Sequence, residues 1–108
     1  MCVVGKPLAI DNYKASFVDG MGGKQVLEEM WPYVSHLVDG SVVVTLEGIA
    51  GCIKTLVDKH SLVTEGAGAA PLAAALSDDV PDGNIVCVLS GGNIDTSKLI
   101  QIFDGKVP

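Results

Sequence analysis

Two runs in this chain have the length and composition of buried β-strands. Ser41–Thr45 (SVVVT) is mostly β-branched, and Asn84–Leu89 (NIVCVL) is apolar after its first residue. Such runs suit a sheet covered on both faces, where strands are commonly parallel. Two strands cannot make a stable sheet alone. With 108 residues, 48% of them hydrophobic, the chain carries more apolar surface than one small core takes up. Part of that surface is expected to meet another chain or a missing domain.

Helical signals surround these runs. From Gln25 to Val38, residues Val26, Leu27, Met30, Val34 and Leu37 recur at helical spacing, and Pro32 is expected to kink or reset that helix. Thr45 suits the N-cap of a helix to about Lys59, with Ile49, Cys52, Ile53, Leu56 and Val57 on one face. A further helix from near Gly66 to Leu76 is rich in Ala and Gly, the composition used where a helix approaches another backbone closely. Ser77–Gly83 is a polar turn, and Asp95 or Thr96 can cap a last helix through Phe103. Residues 1–23 read as irregular, with a short extended piece at Pro7–Ile10. Trp31, Tyr33 and Phe103 are expected in the core, and His36 and His60 at ordinary surface or half-buried positions. From Ser41 the order is strand, helix, helix, strand, loop, helix, which predicts an α/β fold with helices covering a largely parallel sheet of few strands.

A net charge of −6 excludes nucleic acid and anionic membranes as partners, because both select clustered cations. All seven basic residues are lysines, so no arginine fork is present to grip a carboxylate or phosphate in bidentate fashion. Cys2, Cys52 and Cys87 are widely spaced, as expected of reduced thiols in a cytoplasmic protein. No run has the length of a membrane span or the pattern of a signal peptide.

Three stretches could carry chemistry. Ser90–Asn93 (SGGN) follows the second strand run and precedes a helix, the place where open α/β sheets bind ligands. A glycine-rich turn without a ligand explains the same residues equally well. In Thr64–Pro71 (TEGAGAAP), Glu65 opens the small-residue helix, and by itself reads more simply as a charge on the helix dipole than as a site residue. Val18–Lys24 (VDGMGGK) lacks the spacing of a phosphate loop and no strand precedes it. Asp78, Asp79 and Asp82 read as a solvated turn without the ligand ladder of a Ca²⁺ loop.

Taken in order, ASFVDG (15–20), MWPYVSHLVD (30–39), SVVVT with its following helix (41–59), LVTEGAGAAPLAAAL (62–76) and IVCVLSGGNID (85–95) resemble one family. It is that of threonine dehydratase and its serine dehydratase and serine racemase relatives, pyridoxal-phosphate (PLP) enzymes of the tryptophan synthase β-like fold. The resemblance covers nearly the whole chain, and EGAGA followed by VLSGGN at this separation is its specific part. It implies a partial three-layer α/β fold, equivalent to the C-terminal third of such a catalytic domain. It also implies that Ser90 hydrogen-bonds the pyridine nitrogen of PLP, while Gly91, Gly92 and Asn93 shape the backbone behind the ring. A neutral hydroxyl there makes a gentle electron sink, suited to α-proton loss with β-hydroxyl elimination. Glu65 matches a carboxylate close to the cofactor, reversing its reading alone. Asp19 and Gly20 match a segment beside the active site, with Val18 in place of the usual alanine.

Other family features are missing from these 108 residues. The Schiff-base lysine motif (SxKxRG-like) and the GGGG phosphate loop do not occur, and nothing in the sequence places Lys24 or Lys98 as a substitute. The asparagine that contacts the PLP phenolic oxygen and most substrate-carboxylate contacts also belong to the upstream part. Pro71, where alanine is frequent, is expected to shift the helix start or bend its first turns. The expectation is a single incomplete domain over residues 1–108, inactive and without tight PLP binding alone. Its partner would be a complementary N-terminal chain or a second copy in a homo-oligomer. The family reaction takes threonine to 2-oxobutanoate and ammonia, or serine to pyruvate and ammonia. The alternative is a noncatalytic module that self-associates.

Overall fold

The computed structural model describes residues 6–108. Among these, α1 spans Trp31–Leu37, α2 Leu46–His60, α3 Gly66–Ala75 and α4 Thr96–Phe103, and two short 3₁₀ turns occupy Asp19–Met21 and Glu28–Met30. Local signals set the ends of α2. The Thr45 hydroxyl accepts the Gly48 N–H at 3.0 Å, satisfying one of the orphan donors of the first turn. At the other end Ser61 takes a left-handed φ of 54°, and the Leu62 N–H reaches back to the Leu56 carbonyl at 3.1 Å.

The core is a helix pair. Ile49, Cys52, Ile53 and Leu56 of α2 pack with Ala69, Ala70 and Ala73 of α3, and Phe17, Val18 and Ile102 close the cluster. Ile53 is fully buried. The small residues of α3 admit the longer side chains of α2. Phe17 at 4% exposure is the aromatic of this core. The three aromatics expected there are instead at the surface: Trp31 is half-buried, Tyr33 is 61% exposed and Phe103 37%. They lie on α1 and at the end of α4, whose outer faces have no neighbouring element among the described residues.

The structure bears on three further expectations. The sheet does not form among the described residues: Ser41–Thr45 and Asn84–Leu89 are not strands, and no backbone hydrogen bond joins them. A strand needs a second strand alongside to take up its N–H and C=O groups, and among the described residues no strand lies beside either run. The helix expected from Gln25 to Val38 shortens to α1, because Pro32 sits in its first turn, where a missing N–H costs nothing. Its apolar stripe is not buried, with Leu27 63% and Leu37 77% exposed. Pro71 lies inside α3, and the start of that helix stays at Gly66.

Other expectations hold. α3 and α4 occupy the predicted stretches, and Ser77 closes α3 by donating to the Ala74 carbonyl at 2.7 Å. His36 and His60 are exposed. Cys52 and Cys87 are free thiols, while Cys2 lies outside the described residues. Among the described residues, no helix is long and apolar enough to cross a membrane.

Candidate functional site

Glu65 is the N-cap residue of α3, but its side chain makes no cap hydrogen bond to its own helix. The carboxylate is turned onto the SGGN turn. Its Oε2 accepts the Asn93 N–H at 3.2 Å, and the Glu65 N–H donates to the Gly91 carbonyl at 3.2 Å. One residue therefore clamps the turn to the start of α3 by both its backbone and its side chain. The partners are 28 residues apart for the Asn93 contact and, from 65 to 91, 26 apart for the Gly91 contact, too far for local sequence rules to show either.

Glycines make the approach possible. Gly91 has φ +86°, a backbone state that favours glycine, and a Cβ there would lie 3.0 Å from the Glu65 carboxylate carbon. A Cβ at Gly20 would lie 2.6 Å from Glu65 Oε1. One at Gly68 would lie 2.7 Å from the Ser90 carbonyl oxygen and 2.8 Å from that of Gly91, and one at Gly92 would lie 2.8 Å from the Val63 carbonyl oxygen. The structure thus brings Gly20, Glu65, Gly91, Gly92 and Asn93 together. Ser90 joins them through its backbone against Gly68. Its side chain is exposed, with no hydrogen-bond partner among the described residues.

Two residues shape this region without having been singled out. Thr64, directly before Glu65, is 4% exposed, and its hydroxyl has no partner among the described residues. Nothing in its sequence context marks that burial. Gly68 was signalled only by the small-residue composition of α3, which calls for a close backbone without saying whose.

Lys98 and Lys24 each have a neighbour among the described residues. The Lys98 Nζ sits 3.3 Å from Asp95 and 3.8 Å from Asp19, tying the start of α4 to the Asp19–Met21 turn. Lys24 lies 6.0 Å from the centre of the Tyr13 ring. Among the described residues, no group of three His, Cys, Asp or Glu side chains converges to hold a metal ion.

Comparison with known proteins identifies the relatives of this arrangement. The sequence profile described as pyridoxal-phosphate dependent enzyme matches residues 4–91. The L-threonine dehydratase catabolic TdcB of Staphylococcus aureus (strain USA300) is 36% identical over 95 residues, covering 83% of this chain and 28% of that protein. The L-threonine ammonia-lyase of Geobacter sulfurreducens is 44% identical over 91 residues, covering 82% of this chain and 23% of that protein. Among solved structures, a threonine deaminase from T.th. superposes with a TM-score of 0.77 at 30% identity, over 84% of this chain and 33% of that one. The processed form of threonine deaminase isoform 2 from Solanum lycopersicum gives 0.79 at 30% identity, over 91% and 29%. The chain therefore spans between about a quarter and a third of the length of these relatives. Its backbone follows theirs, which places it in their α/β class although no strand forms among its described residues. With the profile matched over most of its length and the EGAGA and SGGN stretches clamped together, the chain belongs to the pyridoxal-phosphate dependent enzyme family.

Proposed function

We propose that the Gly20, Glu65 and Ser90–Asn93 cluster is the pyridine-nitrogen side of a PLP site, and that this stretch of polypeptide contributes it to a threonine or serine dehydratase. The carrying observation is the clamp of Glu65 on the SGGN turn, which leaves the Ser90 hydroxyl exposed and unpartnered among the described residues. These residues fit one side of the cofactor: a free neutral hydroxyl, backed by a turn whose two glycines leave the backbone open to close approach. PLP, when bound, supplies the electron sink for loss of the α-proton and the β-hydroxyl of L-threonine.

The chain's own residues would do the following. Ser90 offers a hydroxyl to the ring nitrogen without placing a charge beside it. Glu65 holds the Asn93 N–H and so fixes the turn that carries Ser90. Gly20 and Gly91 leave room for the Glu65 carboxylate to lie between α3 and the turn. The Schiff-base lysine belongs to further polypeptide in this reading, since the sequence holds neither the lysine motif nor the phosphate loop. Catalysis then requires further polypeptide, whether continuous with this stretch or separate, and the 108 residues alone are inactive.

The test is a titration of the chain with PLP followed by amide NMR, together with an assay for 2-oxobutanoate from L-threonine. Shifts confined to residues 18–20, 64–69 and 88–95, weakened in Ser90→Ala, are expected, with no 2-oxo acid formed. Binding indifferent to Ser90→Ala would refute the site. Production of 2-oxobutanoate by the chain alone would refute its incompleteness.

A further inference from the structure

One lysine stands where neither helix electrostatics nor solvation favours it. Lys98 is in the first turn of α4, with no acidic residue inside that turn to offset the helix dipole, and a cation near a helix N-terminus is unfavourable. Ile102, one turn further on, is buried in the core, so Lys98 shares the inward face of the helix. Its side chain is 30% exposed. A lysine that needed only water would sit on the outer face.

What Lys98 meets there accounts for the position. Its Nζ lies 3.3 Å from Asp95 Oδ2 and 3.8 Å from Asp19 Oδ2. Asp95 is the N-cap residue of α4, yet its side chain makes no cap hydrogen bond. Its carboxylate is turned to the lysine instead. The two aspartates flank the Glu65 cluster. Asp19 directly precedes Gly20, where a Cβ would lie 2.6 Å from Glu65 Oε1, and Asp95 comes two residues after Asn93, whose N–H donates to Glu65 Oε2 at 3.2 Å. Glu65 thus touches both the Asp19–Met21 turn and the SGGN turn, and Lys98 spans the same two segments from outside.

No hydrogen bond joins those two turns directly among the described residues. Without a cation between them, Asp19 and Asp95 set like charges near one another beside the Glu65 carboxylate, which favours their separation. A single ammonium, carried on a helix anchored in the core through Ile102, holds both.

We infer that Lys98 is a positioning residue of this cluster: its ion pairs with Asp19 and Asp95 hold the Asp19–Met21 turn and the SGGN turn against Glu65, and so set the place of the Ser90 hydroxyl. The ring-nitrogen role of that hydroxyl rests on the function proposed above, whereas the clamp is a property of the unliganded chain.

Hydrogen exchange at the Glu65 and Asn93 amides of the PLP-free chain reads the clamp, and titration with PLP followed by amide NMR reads its consequence. Exposed ion pairs are individually weak, so Lys98→Met is expected to speed exchange at both amides about three- to tenfold and to weaken PLP binding by a similar factor. Amides in the middle of α2 should keep the parental rate, which separates a local loosening from a general loss of stability. Lys98→Arg retains the charge and is expected to stay near the parent in both measurements. Asp19→Asn is expected to follow Lys98→Met. It separates position from attraction, because removing a negative charge would tighten the binding of an anion if Lys98 acted only through the local field. Unchanged exchange at Glu65 and Asn93 in Lys98→Met overturns the inference, whatever PLP does. So does a Lys98→Arg variant that behaves like Lys98→Met, or tighter PLP binding by Asp19→Asn. Exchange that responds to Lys98 as expected, with PLP binding indifferent to Ser90→Ala, would uphold the clamp and refute the proposed function.

Discussion

Replacing Gly68 by alanine sets two effects of opposite sign against each other, and the structure decides between them. Alanine is favoured over glycine inside a helix by about 1 kcal/mol. At Gly68, however, the new methyl would stand 2.7 Å and 2.8 Å from the carbonyl oxygens of Ser90 and Gly91, closer than side-chain carbons approach oxygen. Both obstacles are backbone, in a turn already tied to α3 by the Glu65 N–H and carboxylate. Relief requires moving the turn, at an overpacking cost of about 1–3 kcal/mol plus part of those two hydrogen bonds, about 1 kcal/mol each. The expected net effect of Gly68→Ala is a loss of about 1–3 kcal/mol. Gly51 in α2 is the internal control, because a Cβ there meets nothing within 4 Å, and Gly51→Ala should gain about 1 kcal/mol. Urea denaturation followed by circular dichroism at 222 nm reads both as shifts in midpoint at constant slope. Melting temperatures should move in opposite directions, by about 4–8 °C per kcal/mol for a domain of this size. Equal stabilisation by the two substitutions would refute the close approach of the SGGN turn to α3.

Thr64→Val should stabilise by about 1 kcal/mol in the same assay, since it removes a buried, unpartnered hydroxyl while keeping the volume; a loss of stability would mean that the hydroxyl has a partner. Burial first, and Cys87 second, raise the Cys52 thiol above its ordinary 9.0. The unfolded thiol therefore ionises before the folded one, so this contribution is intact below about pH 9 and is lost as pH rises further, and urea midpoints should fall more steeply there for the parent than for Cys52→Ala. Gly20→Ala should displace chiefly the Glu65 carboxylate, the nearest obstacle at 2.6 Å and the end of a flexible side chain. Its cost should fall in a Glu65→Ala background to what the Ala67 methyl, 3.0 Å from the new Cβ, still imposes, and a double-mutant cycle with coupling below about 0.3 kcal/mol would exclude the Glu65 contact.

The parts of the fold that were legible are those whose causes lie within a few residues. Thr45 caps α2 through Gly48, three positions on, and Ile49, Cys52, Ile53 and Leu56 share one face because helical spacing alone puts them there. Pro32 left a kink and a reset both open for a related reason, and the reset is what the chain shows. Its effect depends on where the helix begins, and the chain begins α1 at Trp31, making a kink site into a starting residue. Tyr33 and Phe103 carry large apolar side chains, but whether they are buried depends on a neighbouring element that their own sequence does not specify.

The same distinction explains why the candidate site was easier to read than the sheet. Glu65 and Ser90–Asn93 could be paired only through the family resemblance, yet once paired, every contact between them lies inside this chain: a carboxylate on an N–H, a carbonyl on a helix, glycines where a Cβ would collide. A strand is different, because it is a relation between segments and its hydrogen bonds belong to both. SVVVT and NIVCVL have the residues that a buried strand selects, and those residues record the surroundings the segment suits. They cannot supply the neighbour. With Val43 91% and Val86 88% exposed, the two runs retain strand composition without strand structure, and the apolar surface they leave open is what another stretch of polypeptide must cover. A strand-like run without a ladder thus records the surroundings it suits, and Asn84–Leu89 sits directly before the turn that carries Ser90. A segment that paired with this run would also fix the position of the hydroxyl.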